Sequence, residues 1–68
     1  MENTIGQKIF ELRKEKNISQ AALAKEIDAS QKAVDFWEKG INEPKASYII
    51  ALSNYFGVTS DFLLGLEI

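Results

Sequence analysis

The sequence predicts an all-α fold of five short helices packed around one small core. Three observations carry that expectation. Apolar residues recur at three- and four-residue spacing and not in alternation: Ile5, Ile9 and Leu12, then Leu23, Ala24 and Ile27, then Ala33, Val34 and Trp37. A hydroxyl residue stands where four of the helices should begin, at Thr4, Ser19, Ser30 and Thr59. Its side-chain oxygen can accept from a backbone N–H that has no partner in the first turn. Glycines at 40, 57 and 65 stand where helices should end.

Residues 4–16 form the first predicted helix, with Thr4 and Gln7 as a capping box. Ile5, Ile9 and Leu12 make its buried stripe. Lys8, Glu11, Lys14 and Glu15 lie off the stripe and are expected in solvent. Phe10 also lies off it; a lone exposed aromatic is a more economical reading than a partner contact. Asn17-Ile18 breaks the chain direction, with Ile18 plugging the core at the corner.

Residues 19–40 read as two short helices held at a fixed angle by a three-residue turn. Asp28 ends the first of them, since Asp tolerates left-handed backbone better than most residues. Ala24 is small enough to let the second helix cross closely over the first. This is a helix-turn-helix signature, in which the second helix is offered to a DNA groove. Gly40 closes that helix, and the loop INEPK follows because Pro44 biases Glu43 away from helical geometry. A fourth helix is predicted from about Ala46 to Phe56, with Ile49, Leu52, Ser53 and Phe56 facing inward and Tyr48 and Tyr55 on its flank. Thr59 caps a last short helix carrying Phe62, Leu63 and Leu64.

The 68 residues make one domain spanning positions 1–68, small enough to bury only about 60% of its unfolded surface. With 46% hydrophobic and 26% charged residues it reads as a globular chain. No apolar run approaches the ~20 residues of a membrane span, and no secretory signal opens the chain. Cysteine and histidine are absent, which excludes disulfides and thiolate metal sites and fits a reducing cytoplasm. No cofactor or metal is expected. The acids are interleaved with Lys as on solvated helix faces, and there is no Gly-rich phosphate loop, so catalysis is not expected either.

The net charge of −2 runs against the usual basic character of nucleic-acid binders. Its distribution softens this: all eight basic residues lie in positions 1–45 together with eight acids, and positions 46–68 hold only Asp61 and Glu67. The electrostatic attraction to DNA should therefore be weak.

On a wheel of about 3.6 residues per turn, Ala33, Val34 and Trp37 point to the core. Lys32, Asp35 and Phe36 point the other way, with Gln31 at the helix start. Base-reading side chains would sit on that outward face. A Gln amide can bond both N6 and N7 of adenine, and Lys32 can reach a guanine edge or a phosphate.

Taken in order, these residues resemble the phage-repressor-like helix-turn-helix family, also called the xenobiotic-response-element type. Ile9, Leu12 and Arg13 begin the resemblance, followed by Ser19-Gln20, Leu23-Ala24, Ser30, Val34, Trp37-Glu38 and Gly40. Glu43-Pro44, Gly57-Val58 and Asp61-Phe62-Leu63-Leu64-Gly65 complete it, so it covers the chain from about Ile5 to Gly65. It implies a lambda-repressor-like five-helix DNA-binding domain. It implies a base contact from Gln31 and a phosphate contact from Gln20. It also implies a partly buried ion pair between Arg13 and Glu38. From their places on and beside the outward face, Lys32, Asp35 and Phe36 are expected as further base contacts, and Ser30, Lys39, Asn42 and Lys45 as further phosphate contacts.

Two residues depart from the pattern. Asp35 puts a negative charge where DNA approaches, useful only in accepting from cytosine N4 or in excluding wrong bases. Phe36 stands where a polar or basic residue is common, and either touches a thymine methyl or folds back over the core.

The expectation is a sequence-specific transcriptional regulator, a repressor, that binds double-stranded DNA as a homodimer on a palindromic operator and resides in the cytoplasm with the nucleoid. Tyr55, Phe62, Leu66 and Ile68 are the expected dimer contact. Both a complete small regulator and the N-terminal domain of a longer one, with a further C-terminal domain, fit this length. The alternative is the same fold used to bind another protein, as an antitoxin or anti-repressor; the acidic pI of about 5.0, Asp35, Phe10 and Phe36 favour it.

Overall fold

The computed structural model describes residues 4–66. They form five helices: α1 (Ile5–Lys16), α2 (Gln20–Glu26), α3 (Gln31–Lys39), α4 (Ala46–Phe56) and α5 (Ser60–Leu64). Four begin on a side-chain cap. The hydroxyl oxygens of Thr4, Ser19, Ser30 and Thr59 accept from the N–H groups of Gln7, Ala22, Ala33 and Phe62 at 3.0–3.1 Å. Such a cap stabilises a helix by about 1 kcal/mol. Thr4 is thus the cap of α1 and not its first helical residue. The Gln7 amide turns forward to Glu11 (Nε2 to Oε2, 3.1 Å), so only half of the expected capping box forms.

Each helix sends one fully buried side chain to a common centre: Ile9, Leu23, Val34, Leu52 and Leu63. Ala24, Ile27 and Trp37 complete the core, and Leu12, Ile18, Ile49 and Phe56 pack around it half-buried. The Trp37 ring lies 5.2 Å from that of Tyr48 at 51°, which draws the flank of α4 onto α3. Between α2 and α3 the chain turns through four residues, Ile27 to Ser30, one more than expected, with Asp28 left-handed at φ 59°. Asn17 makes the same left-handed corner after α1 at φ 61°.

Lys8 differs from its expected place in solvent. It is only 6% exposed, and its ammonium lies 5.7 Å from the centre of the Phe62 ring of α5. The stripe argument assumes that one face of α1 is covered. Here α3 and α5 both pack on α1, so residues flanking the stripe are enclosed as well. A long Lys stem suits such a place because its methylenes can lie on apolar surface.

Two contacts set α3 against α1. The first is a close approach of backbones at Gly6. A Cβ at this position would overlap the Trp37 carbonyl oxygen and lie 3.3 Å from the Glu38 Cα, so no larger residue fits without parting the helices. The second is an ion pair. Arg13 Nε meets Glu38 Oε2 at 2.7 Å and Arg13 Nη2 meets Glu38 Oε1 at 3.0 Å, with both side chains at 10% exposure or less. Arg13 Nη1 also donates to the Ile18 carbonyl at 2.9 Å, pinning the corner after α1. The hydrogen-bonded Glu38 carboxylate raises Arg13 above its ordinary value, so the guanidinium stays charged.

In an open helix, Gly→Ala would stabilise by roughly 0.5–1 kcal/mol. Gly6→Ala is expected to destabilise instead, by about 1–3 kcal/mol, as overpacking does. A melting temperature at or above that of the parent chain would show that the two helices can part without cost. Arg13→Ala and Glu38→Ala should each destabilise by on the order of 1–3 kcal/mol, between the values for exposed and fully buried pairs. Arg13→Ala should be the larger loss because the Ile18 carbonyl loses its donor too. The double variant should fall short of the sum by at least about 0.5 kcal/mol in chemical denaturation; strict additivity would mean that the two side chains act independently.

Candidate nucleic-acid interface

Helix α3 has one face committed to the core through Val34 and Trp37, with Ala33 at its border. Gln31, the first helical residue, and Lys32 are exposed, while Asp35 and Phe36 are half-buried and Lys39 is exposed. The helix therefore presents polar side chains from its start to its end on the side away from the core. Lys32 lies over the Phe36 ring, 5.6 Å from its centre, so the aromatic is covered partly by its own helix.

Asp35 is held from two sides. Its Oδ2 receives the Lys39 ammonium at 2.9 Å, one turn along α3, and its Oδ1 receives the Gln20 amide at 3.2 Å from α2. Lys39 first, and then Gln20, hold this carboxyl below its usual value. The same Gln20 Nε2 donates to Glu38 Oε1 at 3.1 Å. An amide nitrogen has two hydrogens, so both Gln20 donors are committed within the protein. A phosphate contact from this side chain would require giving one of them up. From the Ile18 carbonyl through Arg13, Glu38, Gln20 and Asp35 to Lys39, polar groups of α1, α2 and α3 form one connected chain. None of its buried side-chain polar atoms lacks a partner.

The other phosphate candidates lie at the edges of α3. Ser30 uses its oxygen as an acceptor for the cap, which leaves its hydroxyl hydrogen available to donate. Asn42 and Lys45 are exposed and border a concavity of about 310 Å³ together with Glu43, Tyr48 and the α3 residues Ala33 and Trp37.

The expected dimer residues are not alike. Tyr55 is half-buried, 5.1 Å edge-on from Phe56, with the Lys16 ammonium 5.1 Å from its ring. Phe62 packs against the core beneath Lys8. Leu66 is 66% exposed, and Ile68 lies outside the described residues. Ile41, Ile50 and Leu64 are also exposed apolar residues, and sequence periodicity does not single them out for this role. Phe10 is exposed, with Arg13 and Lys14 near its ring face. Among the described residues no group of acids could hold a metal ion, and no helix is long and apolar enough to cross a membrane.

Comparison with known proteins agrees with this geometry. Residues 9–63 match the helix-turn-helix family. The chain is 36% identical over 61 residues to the HTH-type transcriptional activator BcrR of Enterococcus faecalis, covering 90% of this chain and 30% of that protein. It is 37% identical over 60 residues to Repressor protein C2 of Salmonella phage P22, covering 88% of this chain and 28% of that one. It thus spans under a third of the length of either relative. Among solved structures, the P22 c2 repressor in complex with a synthetic operator has a TM-score of 0.88 at 34% identity, covering 94% of this chain and 97% of that one. In sequence and in shape, the chain belongs to the phage-repressor-like helix-turn-helix family.

Proposed function

We propose that this chain is the DNA-binding part of a sequence-specific transcriptional regulator that acts as a repressor, with double-stranded DNA as its partner. The observation that carries the reading is the outward face of α3, presented by a scaffold of the same shape as an operator-bound repressor. Gln31, Lys32, Asp35 and Phe36 would meet base edges, and Ser30, Lys39, Asn42 and Lys45 would hold phosphates and set the register. One nine-residue helix meets only a few base pairs. Two copies on a two-fold operator, with half-sites about 34 Å apart, would multiply the discrimination. The role is binding and not catalysis.

Selection from a random duplex pool tests the reading directly. Recovery of a palindromic motif supports it; no enrichment even at low salt would point to a protein partner instead. Within the selected site, the two classes of contact behave differently. Gln31→Ala should flatten the preference at one base pair per half-site, a change of about 1–3 kcal/mol, and leave the salt dependence nearly intact. Lys45→Ala should weaken binding to all sequences alike and reduce the salt slope by roughly one unit. Full base preference in Gln31→Ala would move the readout to Lys32, Phe36 or DNA shape.

The dimer contact is proposed around the α5 end, with Leu66 at its centre and Tyr55 and Phe62 at its margin. Residues 46–68 carry no Lys or Arg, and the cations of α1 that border this surface lie on its rings, Lys16 on Tyr55 and Lys8 on Phe62. Leu66→Asp should abolish cooperative occupancy of the two half-sites without changing the melting temperature. Unchanged cooperativity and unchanged sedimentation would remove this surface from consideration.

A further inference from the structure

Resting on the reading of α3 as a groove-entering helix, we propose that Gln20, Asp35 and Lys39 form a fixed acceptor that selects a base carrying an exocyclic amine, cytosine or adenine. Asp35 would touch the base, and Gln20 and Lys39 would be positioning residues. An unrestrained aspartate on a DNA-facing helix would be repelled by phosphates and would sample several rotamers. This one is neutralised by an ammonium 2.9 Å from Oδ2 and steered by an amide 3.2 Å from Oδ1, one partner from its own helix and one from α2. Its side chain keeps 29% exposure, so it is accessible from outside.

Each carboxylate oxygen can accept twice, and the two bonds present leave acceptor capacity on both. What the group cannot do is donate. In the major groove the available donors are cytosine N4 and adenine N6, while guanine O6 and N7 and thymine O4 are acceptors. At the point that the Asp35 carboxylate meets, an amino base is therefore accepted and a keto base is repelled, while the remaining hydrogens of the Lys39 ammonium are left for a phosphate. Gln20 belongs to the cluster because its second hydrogen is bound to Glu38 Oε1 at 3.1 Å, and Glu38 is itself fixed by Arg13. The amide orientation follows from this, since two carboxylates can both be satisfied only by its nitrogen.

The test uses the full chain and the duplex that it selects from a random pool. At one base pair per half-site the parent chain should prefer an amino over a keto base by about tenfold or more, the scale of a good base contact. Asp35→Asn, whose amide can donate as well as accept, should reduce this to within about threefold, with other positions unchanged. Gln20→Ala should reduce the same preference, and only that one, which a merely structural role would not do. A second measurement needs no variant. Replacing the selected cytosine by 2-pyrimidinone, or adenine by purine, removes only the amine and should lose about the same factor with the parent protein.

If the parent chain selects no sequence, the DNA-binding reading itself fails. A selected motif that is retained in full by Asp35→Asn overturns the acceptor alone. So does indifference to loss of the amine at every position, or an equal loss of binding to all sequences.

Discussion

A helix of nine residues is too short to hold its own direction, so α3 must be aimed by whatever it rests on. The constraint that aims it is its attachment to α1. At Gly6 the two backbones come into direct contact, and at Arg13 the guanidinium grips Glu38 with two parallel bonds and the Ile18 carbonyl with a third. The first contact fixes separation and the second fixes rotation about the helix axis. Hydrophobic packing of Val34 and Trp37 supplies more free energy than either, but it is non-directional and would tolerate small rolls of the helix. The polar contacts remove that freedom.

An arginine–glutamate pair is a costly device inside a domain this small. Desolvation takes back much of what the attraction supplies, and an apolar pair of the same volume would often be as stable. What it offers in return is geometry. Both Glu38 oxygens are engaged, one of them shared with Gln20, so the order imposed at α1 continues through α2 and reaches Asp35, nearer the outward face of α3. The surface that would meet a ligand is therefore organised from the interior outward. Its exposed groups inherit their positions from buried ones.

Much of this was legible in the residues. Ser19, Ser30 and Thr59 announce helix starts by a local rule that needs no tertiary context, and each caps the N–H three residues on. Val34 and Trp37 declare the buried side of α3 by spacing alone. The features that escaped are those that require a second element. Lys8 looks solvated on a wheel of α1 because a wheel knows nothing of α5 folding over its flank. Gly6 looks like a weak helix former, and its use appears only where the Trp37 carbonyl lies against it. Gln20 looks like an exposed residue at a helix start, yet its partners are 15 and 18 positions away. Leu64 shares the apolar character of Leu63 and is left outside because α5 covers the core with one side only.

The five helix ends share one device: after each helix a residue adopts left-handed backbone, at Asn17, Asp28, Gly40, Gly57 and Gly65. Asn and Asp can hold that shape at modest strain, and glycine holds it with none. Start and stop signals thus sit within a few residues of every segment, and each helix is delimited before it meets its neighbours. Closing the remaining distances requires mostly short loops, whose entropy is small. The kinetic consequence is a low barrier to assembly. A chain so punctuated should reach its native state on the microsecond-to-millisecond scale typical of helical domains, with little time spent as an exposed, aggregation-prone coil.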